Sequence, residues 1–349
     1  VRGRVLRRLA WSLAVVWAVV TLTFVLDAFA PGDPARMAAG PQASAADVAR
    51  IRRTLDLDRP APARYALFWR RLVHLGPSTV QRDPDRPHAT CAIVVPFGAT
   101  SLHIDLGKSL QLGQPVVDVV GPRLERTMAL ASAALLVQLA IGIFSGTLAA
   151  WRKGSWLDRG LVSAGLVGLS LPTFVIALAL QYVVAYRLRL LPLDGFGVTP
   201  LDHLRCIVMP ALTLGVYGAA YYTRLVRDEV AGLLTTPWIR TARAKGATER
   251  GVLVVHALRN GLLPVATMAG LDFGALLGGA VVTETVFRWP GIGELSVHAT
   301  LGRDGPVIAA CVIVSAVAVV VANLLADAVC ARLDPRVRTI SESRGPDTR

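Results

Sequence analysis

Apolar and polar residues are segregated along this chain in long blocks rather than in short alternations. Six stretches of 18 or more residues carry at most one charge: Leu9–Leu26, Thr127–Ala150, Leu161–Ala185, Cys206–Thr223, Gly261–Thr283 and Pro306–Ala326. Crossing the hydrocarbon core of a bilayer takes about 20 apolar residues in a helix, because the backbone must satisfy its own hydrogen bonds there. A soluble helix would interrupt each block with a polar face every 3.6 residues, and Thr127–Ala150 has none. The pattern therefore predicts an all-α, polytopic membrane protein with six transmembrane helices. The first block is longer than the ~7–15 residue core of a secretory signal, which argues for an anchor. Val1 in place of Met is expected to reflect an alternative start codon and hence a native N-terminus.

Three polar regions separate or follow the blocks. Residues 31–126 are too long for a plain connector and predict a small outer cap after the first helix. It should contain an amphipathic helix at Ser44–Leu55 with Ser44 as N-cap and Asp47 in its first turn. An apolar, aromatic stretch follows at Tyr65–Leu75, and Gly76–His88 reads as an irregular insertion. Residues 224–260 form a loop between the fourth and fifth blocks. Residues 331–349 form a tail, with Ser341–Arg349 expected to be disordered. The division is thus 1–30 (N-terminus and first helix), 31–126 (cap), 127–330 (five-helix core) and 331–349 (tail).

Composition sharpens this reading. Charged residues make up 17% of the chain, against about 25% in ordinary soluble proteins. The formal charge of +13 invites a nucleic-acid reading, but its distribution follows topology. With both termini cytoplasmic, the inner segments hold 19 of the 37 Lys and Arg residues and the two short outer loops hold five. The other 13 lie in the long outer segment, which is exempt from the positive-inside rule. The excess marks orientation and attraction to anionic lipid, with no nucleic-acid partner. The four cysteines show no C-x-x-C pair, so the spacing indicates no metal site and no redox motif. Leu106-Gly107-Lys108-Ser109 looks like the end of a P-loop, but the pattern needs glycine where Leu102 stands. No nucleotide cofactor is therefore expected on this chain, and catalytic residues are expected to be none. Neither H-E-x-x-H nor G-x-S-x-G is present, which removes those intramembrane enzyme motifs.

The inner loop carries the most informative run. Thr236-Pro237-Trp238-Ile239-Arg240-Thr241-Ala242-Arg243-Ala244-Lys245-Gly246 predicts a short helix with Thr236 as N-cap, Pro237 at its first position and Gly246 left-handed past its end. Trp238, Ile239 and Ala242 should share a face, with Arg240, Arg243 and Lys245 away from lipid. A second helix is expected from Thr248 through His256 to Asn260. A surface-lying amphipathic helix that merely marks the cytoplasmic face is the alternative.

Thr241–Gly246, followed by His256-Ala257-Leu258-Arg259-Asn260-Gly261-Leu262-Leu263-Pro264, resembles the EAA loop of binding-protein-dependent ABC importer permeases. Arg240 in the glutamate position and the long gap before Leu-Pro resemble the peptide and nickel branch of that family. Further similar pieces are Ala30-Pro31-Gly32-Asp33-Pro34-Ala35, Leu57-Asp58-Arg59-Pro60, Asp105–Ser109 (Ile104 replacing a glycine), Glu284–Gly293 and Leu333-Asp334-Pro335-Arg336. Gly76–His103 departs from the family by being longer. The resemblance implies a type I ABC importer permease fold of the first, B-type kind, in a bacterial cell membrane. It also implies that Trp238, Arg240, Ala242, Arg243, Ala244, Lys245 and Gly246 couple the chain to an ATPase. The implied partners are a second permease, two ATPase subunits or domains holding ATP-Mg and an extracytoplasmic solute-binding protein. Peptide is the expected cargo; nickel chelate, glutathione and an ion-coupled transporter are the alternatives.

Within the blocks, Asp272 is the one charge near mid-membrane, where it costs at least ~2.5 kcal/mol and normally faces protein or water. It is a candidate for the translocation pathway or for an interhelical hydrogen bond, as are Gln138 and Gln181. Pro172 and Pro210 are expected to kink their helices. Gly142-x-x-x-Gly146 and Gly274-x-x-x-Gly278 should allow close packing. The topology makes one direct prediction: in intact cells an impermeant thiol reagent labels Ser78→Cys but not Ser343→Cys, and labelling of both overturns the orientation.

Overall fold

The computed structural model describes residues 2–29, 32–40, 42–77, 90–97 and 100–333. Most of the Gly76–His88 insertion, the Ala30-Pro31 pair, Asp334-Pro335-Arg336 and the tail Ser341–Arg349 lie outside the described residues. The described chain is mostly helical, with helices α1 (Arg2–Phe29), α2 (Pro34–Ala39), α3 (Ala45–Thr54) and α4 (Ala61–Leu72) leading into strands β1 (Val73–Pro77), β2 (Cys91–Phe97) and β3 (Thr100–Asp105). Then come α5 (Val116–Trp151), α6 (Trp156–Ser170), α7 (Thr173–Leu180) with a π-helical extension over Gln181–Arg187, α8 (Pro200–Leu233) and α9 (Pro237–Ala244). Last are α10 (Glu249–Gly251), a π-helical stretch Val252–Leu258, α11 (Arg259–Gly279), α12 (Val281–Val286), α13 (Ile292–Leu301) and α14 (Gly305–Leu333).

Among the described residues, four helical segments are long and apolar enough to cross a membrane: Val116–Trp151, Pro200–Leu233, Glu249–Gly278 and Gly305–Ala328. The third block of the sequence is not one straight helix. Its two halves, Trp156–Ser170 and Thr173–Arg187, meet at 100°, because Pro172 forces Leu171 into an extended conformation. Pro210, by contrast, is buried inside α8, which continues through it. In α1 the apolar part is Ala10–Leu26. The outward surfaces of these helices keep large apolar side chains such as Trp11, Leu136, Phe144 and Leu178 exposed, a surface suited to lipid rather than water.

Two compact units are present, one built from Val1–Arg126 and Gly291–Val317, the other from Thr127–Pro290 and Ala318–Arg349. In the first, α3 begins as its sequence predicts: the Ser44 hydroxyl accepts from the Asp47 amide at 3.2 Å and donates to its carboxylate at 2.7 Å. Those bonds hold the Asp47 carboxyl below its usual range, the Ser44 side chain first. Helix α4 packs Tyr65 edge-on and Phe68 at a tilt against Phe24 of α1, with ring centroids 5.2 and 5.8 Å apart, and the Tyr65 hydroxyl lies 2.7 Å from that of Thr21. Periodicity missed the antiparallel three-stranded sheet, ordered β1-β3-β2. Its strand β2 opens at Cys91, whose buried thiol is pushed up to about 11 by desolvation and then by Asp105.

The P-loop lookalike has a structural job in this unit. Ser109 donates to the buried carboxylate of Asp304 at 2.5 Å, and the amides of Leu110 and Gln111 donate to it at 3.2 and 3.3 Å. That carboxylate sits just ahead of Gly305 and also accepts from the Val307 amide at 3.4 Å, so it caps α14. Arg123 of α5 pairs with Glu294 of α13.

In the second unit, glycines set how closely helices approach. Gly142 and Gly146 of α5 face α8, and a Cβ at Gly146 would lie 2.6 Å from the Thr223 carbonyl oxygen and 2.7 Å from the Val226 Cβ. Beside them, Ser145 and Thr223 share a buried hydrogen bond of 2.6 Å. Gly274 of α11 faces Asn323 and Ala322 of α14. The core here includes Leu130, Ala134, Leu214, Leu276 and Trp289. Gly146→Val is expected to cost on the order of 1–3 kcal/mol by overpacking against backbone. Gly160→Ala, where no atom lies within 4 Å of the new Cβ, should be harmless. Monodisperse yield and thermal inactivation in detergent measure this, and equal behaviour of the two variants would refute the contact.

Candidate functional site: an anchored short helix and a polar pair between long helices

Helix α9 is a stub of eight residues fixed by one apolar side chain. Thr236 precedes it in an extended conformation and Pro237 opens it, as the sequence predicts. The Thr236 hydroxyl, however, bonds back to the Leu233 carbonyl at 2.6 Å instead of capping the new helix. Ile239 is fully buried and joins Tyr222, Val226 and Val230 of α8 with Val252, Leu253 and Ala257 of the π-helical stretch. Burying an isoleucine is worth roughly 1.5–3 kcal/mol, enough to seat a helix too short to persist alone. Trp238 does not share that buried face. It stays 42% exposed, its ring edge-on to His256 at 6.4 Å, and Ala242 is half-buried.

The three cations of this segment behave differently. Arg243 makes a two-pronged contact with Glu249, at 2.9 and 3.1 Å, and that bond raises the guanidinium's already high pKa. Arg240 and Lys245 are exposed, with no carboxylate partner among the described residues. Gly246 has φ +86°, the left-handed turn its sequence position requires, while Ala244 is exposed. After it, Thr248 accepts from the Gly251 amide at 3.2 Å and starts a new helix. The second helix expected from Thr248 through His256 to Asn260 is present and does not stop there, since helix continues from Glu249 through Gly278. Nearby, Arg227 of α8 grips the buried Asp158 at the start of α6 through bonds of 3.1 and 2.9 Å. Sequence reading missed that brace; the local signal that could have pointed to Asp158 is the helix start at Ser155, whose hydroxyl accepts from the Asp158 amide at 3.3 Å.

Higher in the same unit, Tyr222 of α8 donates to the half-buried Asp272 of α11 at 3.2 Å. Gln138 is buried and donates to the Leu214 carbonyl at 3.2 Å; its Oε1 has no partner among the described residues. Gln181 donates to the carbonyls of Leu193 and Val286, at 3.1 and 3.2 Å. The three candidates are thus three separate interhelical ties, and only Asp272 brings a carboxylate. Glu284, fully buried, accepts from Thr127 at 2.8 Å. As a single letter at the end of an apolar block, it gave no sign of that burial.

Residues 138–339 match the binding-protein-dependent transport system inner membrane component, and residues 3–131 match the N-terminal family of such membrane components. The chain belongs to this family of importer permeases. A probable peptide ABC transporter permease of Sinorhizobium fredii is 36% identical over 96% of this chain and 98% of its own. A putative peptide transport system permease of Brucella abortus is also 36% identical, with the same coverage. The glutathione transport system permease of Escherichia coli O6:H1 is 34% identical over 96% and 98%. In fold, the permease resembles the solved structure of an inward-facing methionine ABC transporter, with a TM-score of 0.54 and 16% identity over 64% of this chain and all of that one.

A Cβ at Gly246 meets nothing within 4 Å, so the cost of replacing it is conformational, on the order of 1–2 kcal/mol for a β-branched residue. Gly246→Val is expected to leave insertion intact and misdirect the turn after α9, whereas Gly246→Asn, which tolerates left-handed backbone, should behave nearly as wild type. Uptake by the assembled importer is the measurement, and transport by Gly246→Val at the wild-type rate would show that the turn is dispensable.

Proposed function

We propose that this permease forms half of the translocation path of an ATP-driven peptide importer, paired with a second permease. Two ATPase subunits carry ATP-Mg, and an external solute-binding protein delivers the cargo. In this reading α1, α5, the bent α6–α7 pair, α8, the helix from Glu249 to Gly278 and α14 are six crossings, with both termini cytoplasmic. The observation that carries the reading is α9: a short helix with exposed Trp238, Arg240 and Lys245, locked by Ile239 onto the ends of two spans. Such a part transmits a push. An ATPase surface pressing on α9 moves α8 and the Glu249–Gly278 helix together, because Ile239 packs on both. Arg243, held by Glu249, braces the turn, leaving Arg240 and Lys245 to meet an acidic partner surface.

Peptide is favoured as cargo by the 36% identity to permeases of peptide systems along nearly the whole chain. Glutathione is the second reading, favoured by the relative that carries that name. Glutathione is itself a small peptide, so the two readings share one cargo chemistry. Asp272 with Tyr222 supplies a hydrogen-bonded carboxylate in the spans, suited to a cargo's ammonium group. ATP-dependent uptake of labelled dipeptide and of glutathione by the reconstituted complex with its binding protein separates the two. Asp272→Asn should leave assembly intact and reduce peptide uptake about tenfold, the loss of roughly 1.4 kcal/mol of charge-dependent interaction. Uptake of neither cargo by the wild-type complex would refute the peptide reading, and unchanged kinetics in Asp272→Asn would reduce that residue to packing.

A further inference from the structure

The sequence shows no paired metal-binding spacing, yet the small sheet gathers three ligating side chains, one from each strand. His74 of β1, Cys91 of β2 and His103 of β3 place a ring nitrogen, a sulfur and a ring nitrogen all within 4.8 Å of one another. We propose that these three side chains bind one thiophilic transition-metal ion of the zinc class, which clips the three strands together.

Four observations support the site. His74 and His103 are direct cross-strand partners, and their rings lie parallel with centroids 5.4 Å apart and an interplanar angle of 12°. Cys91 and His103 are buried and His74 is half-buried, so the donors are shielded on one side and approachable on the other. The pairing register shifts between Cys91 and Ile93, and a bulge of that kind re-aims a side chain at the start of a strand. Finally, the Nδ1 of His74 lies 3.0 Å from the Arg71 carbonyl oxygen. A carbonyl only accepts, so Nδ1 carries the hydrogen and the lone pair falls on Nε2. That is how a backbone carbonyl orients a metal-binding imidazole.

The donor set selects the ion. Two imidazoles and a thiolate suit zinc and its late neighbours, whereas magnesium and calcium require oxygen. Tetrahedral zinc, with bonds of about 2.3 Å to sulfur and about 2.0–2.1 Å to nitrogen, sets its donors about 3.3–3.6 Å apart. Closing the present spread takes a shift of roughly 1 Å, within reach of side-chain torsions. The sheet has three strands of five to seven residues, and metal binding is a common way to stabilise so small a module.

The inference is independent of the cargo. The test uses the intact importer complex, stripped with a chelator, dialysed and titrated with Zn²⁺ or Co²⁺. Expected are one metal ion per permease chain and, with Co²⁺, a sulfur-to-metal charge-transfer band. Cys91→Ser should abolish that band, and the half-buried His74→Gln, which is less disruptive to folding, should weaken Zn²⁺ binding at least tenfold. Cys206→Ser and Cys311→Ser should change neither. The bound ion should also stay in place through ATP-driven turnover. Absence of the band in the wild type, wild-type Zn²⁺ affinity in His74→Gln, or release of the ion with each transport cycle (which would make it cargo) would each overturn the proposal.

Discussion

A hydrocarbon layer offers no hydrogen bond to a peptide group. Every crossing segment of this permease must therefore close its own backbone ladder, and the helices are left with little but shape and a few polar contacts to choose their neighbours. That is why glycines and small residues sit where α5 meets α8 and where α11 meets α14. Lipid is as apolar as leucine, so apolar burial alone cannot favour helix against helix over helix against lipid. Close backbone approach, together with contacts such as Ser145–Thr223 and Tyr222–Asp272, supplies the preference.

Outside the apolar layer water competes again, and charged groups become the fasteners. Asp304 collects the Ser109 hydroxyl and three backbone amides around the start of α14. Asp158 receives both prongs of Arg227. Arg243 closes the turn after α9 on Glu249. Each joins segments that polar loops would otherwise leave loosely connected, and each does so with a carboxylate that accepts from several donors at once, as charge-assisted contacts favour.

Much of this was readable in the sequence because it rests on local rules. Apolar block length gave the long helices, Ser44 and Asp47 gave the start of α3, and Thr236, Pro237 and Gly246 gave the bounds of α9. What was not readable depends on pairing across distance. The sheet was missed because β1 and β2 are separated by a long polar segment and neither alternates cleanly. Pro172 was expected to kink a helix and instead turns it through 100°. Trp238 was placed with Ile239 by helical spacing, but the available hollow accepts the branched aliphatic chain and leaves the indole outside. Arg243 was grouped with Arg240 and Lys245 as an outward charge, since nothing local announces that Glu249 folds back onto it. Likewise, Tyr222 and Asp272 meet only when two helices pack.

The π-helical stretch Val252–Leu258 has a consequence for how the lower and upper ends of its helix are aligned. A wide turn of this kind accommodates one residue more than an α-helix would, and one residue subtends about 100° around the axis. Residues below the stretch are therefore out of angular phase with those above it by about that amount. The side facing Ile239 and the side carrying Asp272 are set relative to each other by this single extra residue. Deleting one residue there would preserve composition, length and hydrophobicity almost unchanged, yet turn the N-terminal end of this helix to face the wrong neighbour.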